Sequence, residues 1–321
     1  MRGMAQLVCG FALAGLLAAC GSESNPSQPD SSRKPEVKKI VVGDRPLAVA
    51  VVDGVVWTAN LGGHSLTAVE AASETPLGEV ELAGMGPSAL AAGDGVLWVG
   101  NFRTDTVARI DSTTRELVGE PIRVGRDPLA LAVSNGVVWV SNGSDGTVTR
   151  LDARSGKPLG KQIVIGSEPF AGAAGGGIAV GDGVVWVSNA VDGTVTRLDA
   201  ATGKPVGEPI KVGRGPLGVT IGEGAVWVAN FDGDSVTRVD PDSGETSEIQ
   251  VGDGPTAVAV GGGAVWVANA TDGTLLRIDP VSNKVVGEPL EIGPRAQAVA
   301  VGAGAVWVAS QAADTLTRVA F

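Results

Sequence analysis

Short apolar runs separated by glycine-rich polar turns fill the chain from about residue 37 to its end. In the stretch that starts at Gly213, the runs cover residues 216–221, 225–230, 235–240 and 248–251. Each run has the length of a strand, is rich in Val, Ile and Thr, and is bounded by Gly, Asp or Asn. No apolar stripe of helical period follows a capping residue, and glycine is too frequent for long helices. The pattern predicts an all-β protein.

The second run of each unit contains a tryptophan, and the chain has seven: Trp57, Trp98, Trp139, Trp186, Trp227, Trp266 and Trp307. Successive tryptophans are 41, 41, 47, 41, 39 and 41 residues apart. Four short antiparallel strands in a unit of about 40 residues, repeated seven times, predict a seven-bladed β-propeller with four-stranded antiparallel blades. Because the Val-Trp-Val runs are apolar on both faces, we expect the tryptophans to pack between neighbouring blades.

The two ends of the repeat region predict how the ring closes. The last unit stops at its third strand, residues 315–321, and has no fourth strand. Residues 37–43 resemble the fourth strands of other units, such as residues 209–213. Pairing of 37–43 with 315–321 would complete the last blade and cover an otherwise open sheet edge. We therefore expect the propeller to span residues 37–321.

The repeat resembles that of a known family. The segments 186–189, 192–199 and 202–204 read Trp-Val-Ser-Asn, Asp-Gly-Thr-Val-Thr-Arg-Leu-Asp and Thr-Gly-Lys. This pattern is similar to the YVTN-type (YncE-like) propeller repeats, with Trp in place of the family's Tyr. The resemblance implies a seven-bladed propeller in a secreted or surface setting. It extends to the propeller superfamily of virginiamycin B lyase, but fold analogy alone gives little warrant for function.

The first 36 residues have a different composition. A basic residue precedes an apolar stretch over residues 7–19, which is typical of a secretory signal peptide. The Leu-Ala-Ala-Cys sequence that ends at Cys20 resembles the lipobox of bacterial lipoproteins, in which the cysteine is lipid-modified. We therefore expect a signal peptide over 1–19, lipidation at Cys20 and a flexible linker over 20–36. A two-chain lipid anchors stably, which predicts a lipid-anchored protein on the extracytoplasmic side of the cell membrane.

The charge balance narrows the classes of partner. The chain has 24 Lys and Arg against 35 Asp and Glu, a net charge of -11. This acidity argues against nucleic acid and against anionic lipid as partners. No Gly-x-Ser-x-Gly motif supports a serine hydrolase. We expect a monomer that has no cofactor and contacts the membrane through its lipid anchor only.

The copies differ most in the loops at one end of the predicted propeller, where fourth strands lead to first strands and second strands to third strands. Most of the chain's aromatic residues other than tryptophan map to this end, together with several cations. Exposed aromatics beside arginines are typical of interface anchors. The predicted partner-binding residues are Phe102, Arg103, Phe170, Phe231, His64, Arg45, Arg126, Arg214 and Arg295. A Gly/Ala insertion over about 172–177, which we interpret as a lip of the channel mouth, accounts for the 47-residue spacing.

Two further positions recur in every full repeat. An Asn follows each Trp by three residues, with Ser310 in the last unit, and we expect it to close a turn rather than to ring a ligand. An Arg follows each Trp by eleven residues in every unit but the first, which has Ala68. An acid follows two positions later, from Glu70 in the first unit through Asp279 in the sixth. We expect these Arg and Asp side chains to pair between blades.

The sequence favours a surface-anchored lipoprotein whose propeller is a non-catalytic binding or scaffolding module for an envelope or extracellular protein, peptide or glycan. The alternative is a lyase-like propeller enzyme of the virginiamycin B lyase type, which the resemblance implies would use a metal with His, Glu and Tyr. The chain has no Tyr, and its single His64 lacks a second His to complete a metal site. Carboxylate binding of Ca²⁺ or Mg²⁺ at residues 232–234 stays open.

Overall fold

The computed structural model describes residues 35–165 and 177–320. Within these residues the fold is all-β: seven antiparallel sheets follow one another around a ring. The fold-class prediction is thus confirmed. A single 3-10 turn, Phe231–Gly233, is the helical element of the described part of the chain.

Each blade has four strands in sequence order, from the axis outward. The first strands are Pro46–Val52, Pro87–Gly93, Pro128–Ser134, Ile178–Gly181, Pro216–Gly222, Pro255–Gly261 and Ala296–Gly302. The second strands are Val55–Asn60, Val96–Asn101, Val137–Asn142, Val184–Asn189, Ala225–Asn230, Ala264–Asn269 and Ala305–Ser310. The third strands are Ser65–Glu70, Thr106–Asp111, Thr147–Asp152, Thr194–Asp199, Ser235–Val239, Thr274–Asp279 and Thr315–Ala320.

The fourth strands form the outer edges of the blades and several are only two residues long. They are Thr75–Glu81, Ile122–Arg123, Ile163–Val164, Ile210–Lys211, Thr246–Gln250 and, in blade 6, Lys284–Val285 with Leu290–Glu291. Short edge strands offer little unpaired backbone to a second chain.

The chain closes its ring through the N-terminal strand Val37–Val41. This strand pairs with Thr315–Ala320 in antiparallel register, from Val37 opposite Val319 to Val41 opposite Thr315. It supplies the fourth strand of blade 7 and confirms the predicted closure. Because residues far apart in sequence complete one sheet, the backbone hydrogen bonds of the last blade depend on both ends of the propeller.

The tryptophans pack between blades, as predicted. Trp227 of blade 5 is fully buried against Val265, Val267 and Ile278 of blade 6. Trp307 of blade 7 packs in the same way against Val56 and other residues of blade 1, so this contact runs around the whole ring. Large apolar side chains buried in this way contribute the main favourable term in folding.

The recurrent arginines stack on the tryptophans rather than pairing with the acids that follow them. In five blades the guanidinium carbon lies 5.6–5.9 Å from the ring centroid of the same blade's Trp, within cation–π range. A Cβ added to Gly203 of blade 4, whose φ is +73°, would lie 2.8 Å from Cζ of Arg150 in blade 3. The arginine is thus held between its own Trp and the turn glycine of the next blade.

The acids of the repeat cap the turns of their own blades, so the expectation of blade-to-blade Arg–Asp pairs is wrong. Asp199 accepts hydrogen bonds from the backbone N–H and the hydroxyl of Thr202, at 2.7 and 2.6 Å. Asp111 accepts the N–H groups of Thr113 and Thr114. A short acidic side chain satisfies nearby turn amides at less entropic cost than a long ion pair across blades.

An ion pair between blades does occur where the ring closes. Glu74 of blade 1 stands at the turn position that is glycine in blades 3, 4 and 5, and keeps the left-handed backbone with φ of 58°. Its carboxylate lies 3.4 Å from Nη1 of Arg318 and also pairs with Lys38. Both cations belong to blade 7, so an ion pair between blades 7 and 1 accompanies the strand pairing that closes the ring.

Candidate functional site

One end of the ring, here called the mouth, is built by two sets of loops. The loops between second and third strands cover 61–64, 102–105, 143–146, 190–193, 231–234, 270–273 and 311–314. The described loops between fourth and first strands cover 42–45, 82–86, 124–127, 212–215, 251–254 and 292–295. All described residues of the predicted site lie in these loops. Phe170 and the insertion up to residue 176 lie outside the described residues.

The pairing register shifts at the start of each described first strand except that of blade 4, which leaves one residue without a strand partner, or two in blade 5. In blade 3, for example, the register shifts between Pro128 and Ala130, which leaves Leu129 as the extra residue. The bulged residues of five blades line an axial channel of about 190 Å³, and they are Leu47, Ser88, Leu129, Thr256 and Gln297. Three of these five residues are polar and two are leucines.

A larger cavity of about 1150 Å³ opens in the mouth on the side of blades 4 to 7. It shares Thr256 and Gln297 with the channel, so the two adjoin. Its volume lies slightly above the range usual for small-molecule sites. Its cationic lining residues are Arg45, Lys211, Arg214 and Arg295, its acids are Asp192 and Asp232, and Phe231 is its aromatic residue.

The structure brings only part of the predicted site together. Phe231, Arg45, Arg214 and Arg295 share the large cavity. Phe102, Arg103, His64 and Arg126 belong to blades 1 to 3 and do not line it. Phe102 is three blades from Phe231, in the corresponding loop of blade 2. The two phenylalanines therefore cannot form one compact anchor, although both are half-buried in the mouth.

Two cations of the cavity donate hydrogen bonds to other residues that line it. Nη2 of Arg214 donates to the carbonyl of Asp232 at 2.7 Å, and Nζ of Lys211 donates to the carbonyl of Asp192 at 2.9 Å. Phe231 leans on the neighbouring loop, since a Cβ added to Gly254 would lie 3.1 Å from Cε2 of its ring. These contacts fix the wall formed by blades 4 to 6.

The arginine of blade 3 is neutralised outside the cavity. Nε of Arg126 lies 2.6 Å from Oδ1 of Asp145, and its backbone N–H donates to Oδ2 of the same carboxylate at 2.7 Å. The hydrogen bond and the charge of Asp145 raise the pKa of the Arg126 guanidinium. The Arg126 backbone and side-chain hydrogen bonds in turn lower the pKa of Asp145.

His64 occupies a left-handed position, with φ of 52°, at the end of the second-to-third loop of blade 1. Its Nδ1 is buried and has no hydrogen-bond partner among the described residues. No group of three His, Cys, Asp or Glu side chains in the described ranges has the geometry to hold a metal ion. In the 232–234 segment, Oδ1 of Asp234 accepts the N–H of Gly254 at 3.0 Å.

The repeated asparagines stabilise the mouth from beneath and are not exposed to a ligand. Asn230 is fully buried, and its Nδ2 donates to the hydroxyls of Ser235 at 3.1 Å and Thr237 at 2.8 Å. A Cβ added to Gly213, in the loop above, would lie 2.5 Å from this amide. The amide thus bonds to hydroxyls of the third strand and does not close its own turn.

Among solved structures, several share this architecture. Virginiamycin B lyase from Staphylococcus aureus has a TM-score of 0.77 at 17% identity, with 90% of this chain and 100% of that chain covered. A streptogramin B lyase has a TM-score of 0.77 at 15% identity, with coverages of 89% and 97%. Hydrazine synthase of Kuenenia stuttgartiensis has a TM-score of 0.76 at 16% identity, with coverages of 88% and 97%.

The chain therefore shares the β-propeller fold of these structures. At such low identity the likeness is one of fold alone, and the neighbours themselves differ in activity. The sequence matches no protein-family model. No curated protein matches it either. No helix in the described ranges is long and apolar enough to cross a bilayer.

Proposed function

We propose that this protein is a surface-anchored lipoprotein whose propeller is a non-catalytic binding module, and that the mouth cavity takes up part of an envelope or extracellular partner. The observation behind the proposal is the cavity itself. It is large, it contains four cations and two acids in a chain of net charge -11, and it holds the half-buried Phe231. A concave site with one aromatic anchor and convergent polar groups is the usual form of a binding site.

Photo-cross-linking on intact cells tests the binding proposal. A photoreactive side chain at Val191, which lines the cavity and is 64% exposed, would label the partner. We expect Phe231→Ala to weaken labelling by about 5- to 30-fold, as for loss of a binding hot spot. Phe102→Ala is the matched control, and it should change labelling by less than about twofold if the partner enters the cavity. Equal losses in both variants would indicate a partner spread across the whole mouth.

The anchor requires a separate test. A Cys20→Ser variant should lose incorporation of an alkyne-labelled fatty acid and should leave the membrane fraction. A protein that stays in the membrane fraction without the label would contradict lipid anchoring through Cys20. The propeller's binding in solution should be unchanged, because the anchor lies outside the residues that form the cavity.

The second candidate is a lyase-like enzyme, which the fold comparison favours. A catalytically inactive His-to-Ala variant of virginiamycin B lyase from Staphylococcus aureus has been crystallised with quinupristin. In this chain the single histidine, His64, does not line the cavity. Incubation with quinupristin and Mg²⁺, followed by chromatography, tests this candidate. Consumption of quinupristin that His64→Ala abolishes would replace the binding proposal by the enzyme.

A further inference from the structure

At the seam between blades 7 and 1, a glutamine side chain without a hydrogen bond to any described residue lies on the wall of the mouth cavity. Gln311 lines the mouth cavity and is only 8% exposed. Its backbone N–H donates to the carbonyl of Arg295 at 2.9 Å. Its side-chain amide makes no hydrogen bond to any residue in 35–165 or 177–320. Neither polar atom of this amide is among the fully buried ones that lack a partner, so the amide reaches the cavity and can bond to a group from outside the chain.

Two arginines flank this amide without a partner of their own. The guanidinium groups of Arg45 and Arg295 both line the cavity, and neither makes a hydrogen bond or ion pair within the described ranges. The loop that carries Gln311 is held between them. Arg295 accepts the Gln311 N–H, and the backbone N–H of Arg45 donates to Oδ1 of Asp314 at 2.8 Å. Asp314, an acid of the same loop as Gln311, therefore binds main chain.

Both arginines occupy strained backbone. Their φ angles are 57° and 55°, in the left-handed region that disfavours side chains. The same position is Gly86, Gly215 and Gly254 in blades 2, 5 and 6, with φ of 68°, 61° and 64°. Blade 3 has Asp127 at this position, with φ of 55°, so three blades keep a side chain where three others have glycine. The two of these side chains that line the cavity are both arginines.

The geometry points to an anion-recognition site at this seam: we propose that Arg45 and Arg295 bind a carboxylate of an acidic saccharide, and that the Gln311 amide binds a neighbouring polar group of the same ligand. This inference rests on the proposed binding function and specifies its ligand. Arginine is well suited to carboxylates because its guanidinium offers paired donors.

The rest of the lining favours a saccharide over a peptide. Gln297, Thr256 and Thr271 add an amide and two hydroxyls, and Phe231 adds one aromatic face. Amides and hydroxyls match the alternating donors and acceptors of sugar hydroxyls. A peptide that binds by strand addition needs an open sheet edge, whereas the cavity is bounded by loops and strand starts.

Calorimetric titration with defined probes tests the assignment. The probes are trigalacturonate, neutral maltotriose, triglutamate and inorganic phosphate, at 20 and 200 mM NaCl. We expect trigalacturonate to bind, more weakly at the higher salt. Arg45→Gln and Arg295→Gln should each weaken it about 10-fold or more, and Gln311→Leu about 3- to 10-fold. Arg126→Gln, at a mouth arginine outside the cavity, is the matched control and should leave the affinity within twofold.

The possible results distinguish failure of the saccharide assignment from failure of the proposed binding function. Triglutamate or phosphate bound more tightly than trigalacturonate overturns the saccharide assignment. Maltotriose binding that depends on Phe231 but not on either arginine overturns the assignment of an anion site to the seam. The proposed binding function would still hold. Absence of binding by every anionic probe overturns the inference. If, in addition, the photoreactive side chain at Val191 labels no partner on cells, the proposed binding function is overturned as well.

A ligand-free measurement gives an independent check. Leu61 occupies in blade 1 the position of Gln311 and is 7% exposed, so the repeat itself shows that leucine fits there. If Gln311 is kept for a ligand, Gln311→Leu should leave Tm unchanged or raise it by up to roughly 2 °C, because the amide makes no hydrogen bond within the described residues and leucine adds buried apolar area. A fall in Tm would show that Gln311 supports the fold and would contradict the inference.

Discussion

The two ends of the propeller are made from the same repeat but differ in whether their polar side chains are hydrogen-bonded within the chain. At the end opposite the mouth, here called the turn end, each recurrent Asp caps its own turn, as Asp199 does with Thr202. At the mouth, Arg45, Arg295 and Gln311 make no side-chain hydrogen bond within the described ranges. The recurrent carboxylates of the turn end are satisfied within their own turns, whereas two arginines and one glutamine in one sector of the mouth have hydrogen-bonding capacity that the described residues do not use.

The difference shows how a repeat protein can gain a site without changing its fold. The second and third strands pair in the same register in all seven blades, whereas the mouth loops differ in sequence. Within the mouth, blade 3 pairs Arg126 with Asp145, whereas blade 7 leaves Arg295 unpaired. Function is therefore expected where a loop keeps a charge and its neighbour does not neutralise it.

The largest effect should come from the core that both ends share. Trp227 is fully buried between blades 5 and 6, so Trp227→Ala should lower the free energy of unfolding by about 3–5 kcal/mol. Urea denaturation measures it. Val281→Ala, at a site that is 91% exposed, is the control and should stay within about 0.5 kcal/mol. A loss below about 1 kcal/mol for Trp227→Ala would contradict the inter-blade role.

The next effect concerns the one interblade ion-pair cluster at the turn end of the described residues. The Glu74 side chain is 13% exposed and faces Lys38 and Arg318, whose side chains are 54% and 20% exposed. We expect Glu74→Gln to lower the free energy of unfolding by about 1–2 kcal/mol, allowing for solvent screening of the exposed lysine. Urea denaturation at low and high salt measures the loss, which should shrink at high salt.

Glu116→Gln provides the control for this ring-closure prediction. Glu116 is an exposed glutamate in a blade 2 turn, and its side chain has no ion pair within the described ranges. Its replacement should change the free energy of unfolding by less than about 0.5 kcal/mol. Equal losses in the two variants would show that the Glu74 effect is a general effect of charge and not of ring closure.

The fold was predictable because its determinants are local and repeated. The Val-Trp-Val runs, their spacing and the missing fourth strand of the last unit predict the blades, the packing of Trp227 and the closing strand Val37–Val41. The partner of Arg150 was not predictable, because the repeat offers its guanidinium both an aromatic ring, Trp139, for stacking and a carboxylate for ion pairing. Only the strand register, which places Trp139 opposite Arg150, decides between them.

The end of the propeller that carries the candidate site was predictable, but the set of residues that form the site was not. Sequence variation placed Phe102 and Phe231 at the mouth, but it could not show that a cavity includes one and excludes the other. Whether a loop arginine is neutralised depends on the neighbouring loop, as Arg126 and Arg295 show. The signal that could have singled out Gln311 is its amide at a position that is apolar or glycine in the other blades.

A smaller effect should appear when the turn end is acidified. Hydrogen bonds from Thr202 lower the pKa of Asp199. A lowered folded-state pKa adds stability above the unfolded value of about 3.9, and that stability is lost as pH falls through the folded pKa. Asp199→Asn should therefore be less stable than wild type at pH 7, and the gap should narrow below pH ~4. Denaturation curves from pH 7 to pH 3 would contradict this if the gap stayed constant.

The smallest effect should have the opposite sign, at the mouth. Partial burial, followed by the charges of Asp234 and Asp272, raises the pKa of Asp253. A raised folded-state pKa makes the ionised carboxylate unfavourable to the fold above that pKa, and the penalty disappears once both states are protonated. Asp253→Asn should therefore be more stable than wild type at pH 7, with the gain vanishing below pH ~4. The Asp253 backbone N–H keeps its bond to Asp272 in this variant, so only the side-chain charge changes. If Asp253→Asn were destabilising at pH 7, as Asp199→Asn is expected to be, the proposed difference between the two ends of the propeller would not hold for their carboxylates.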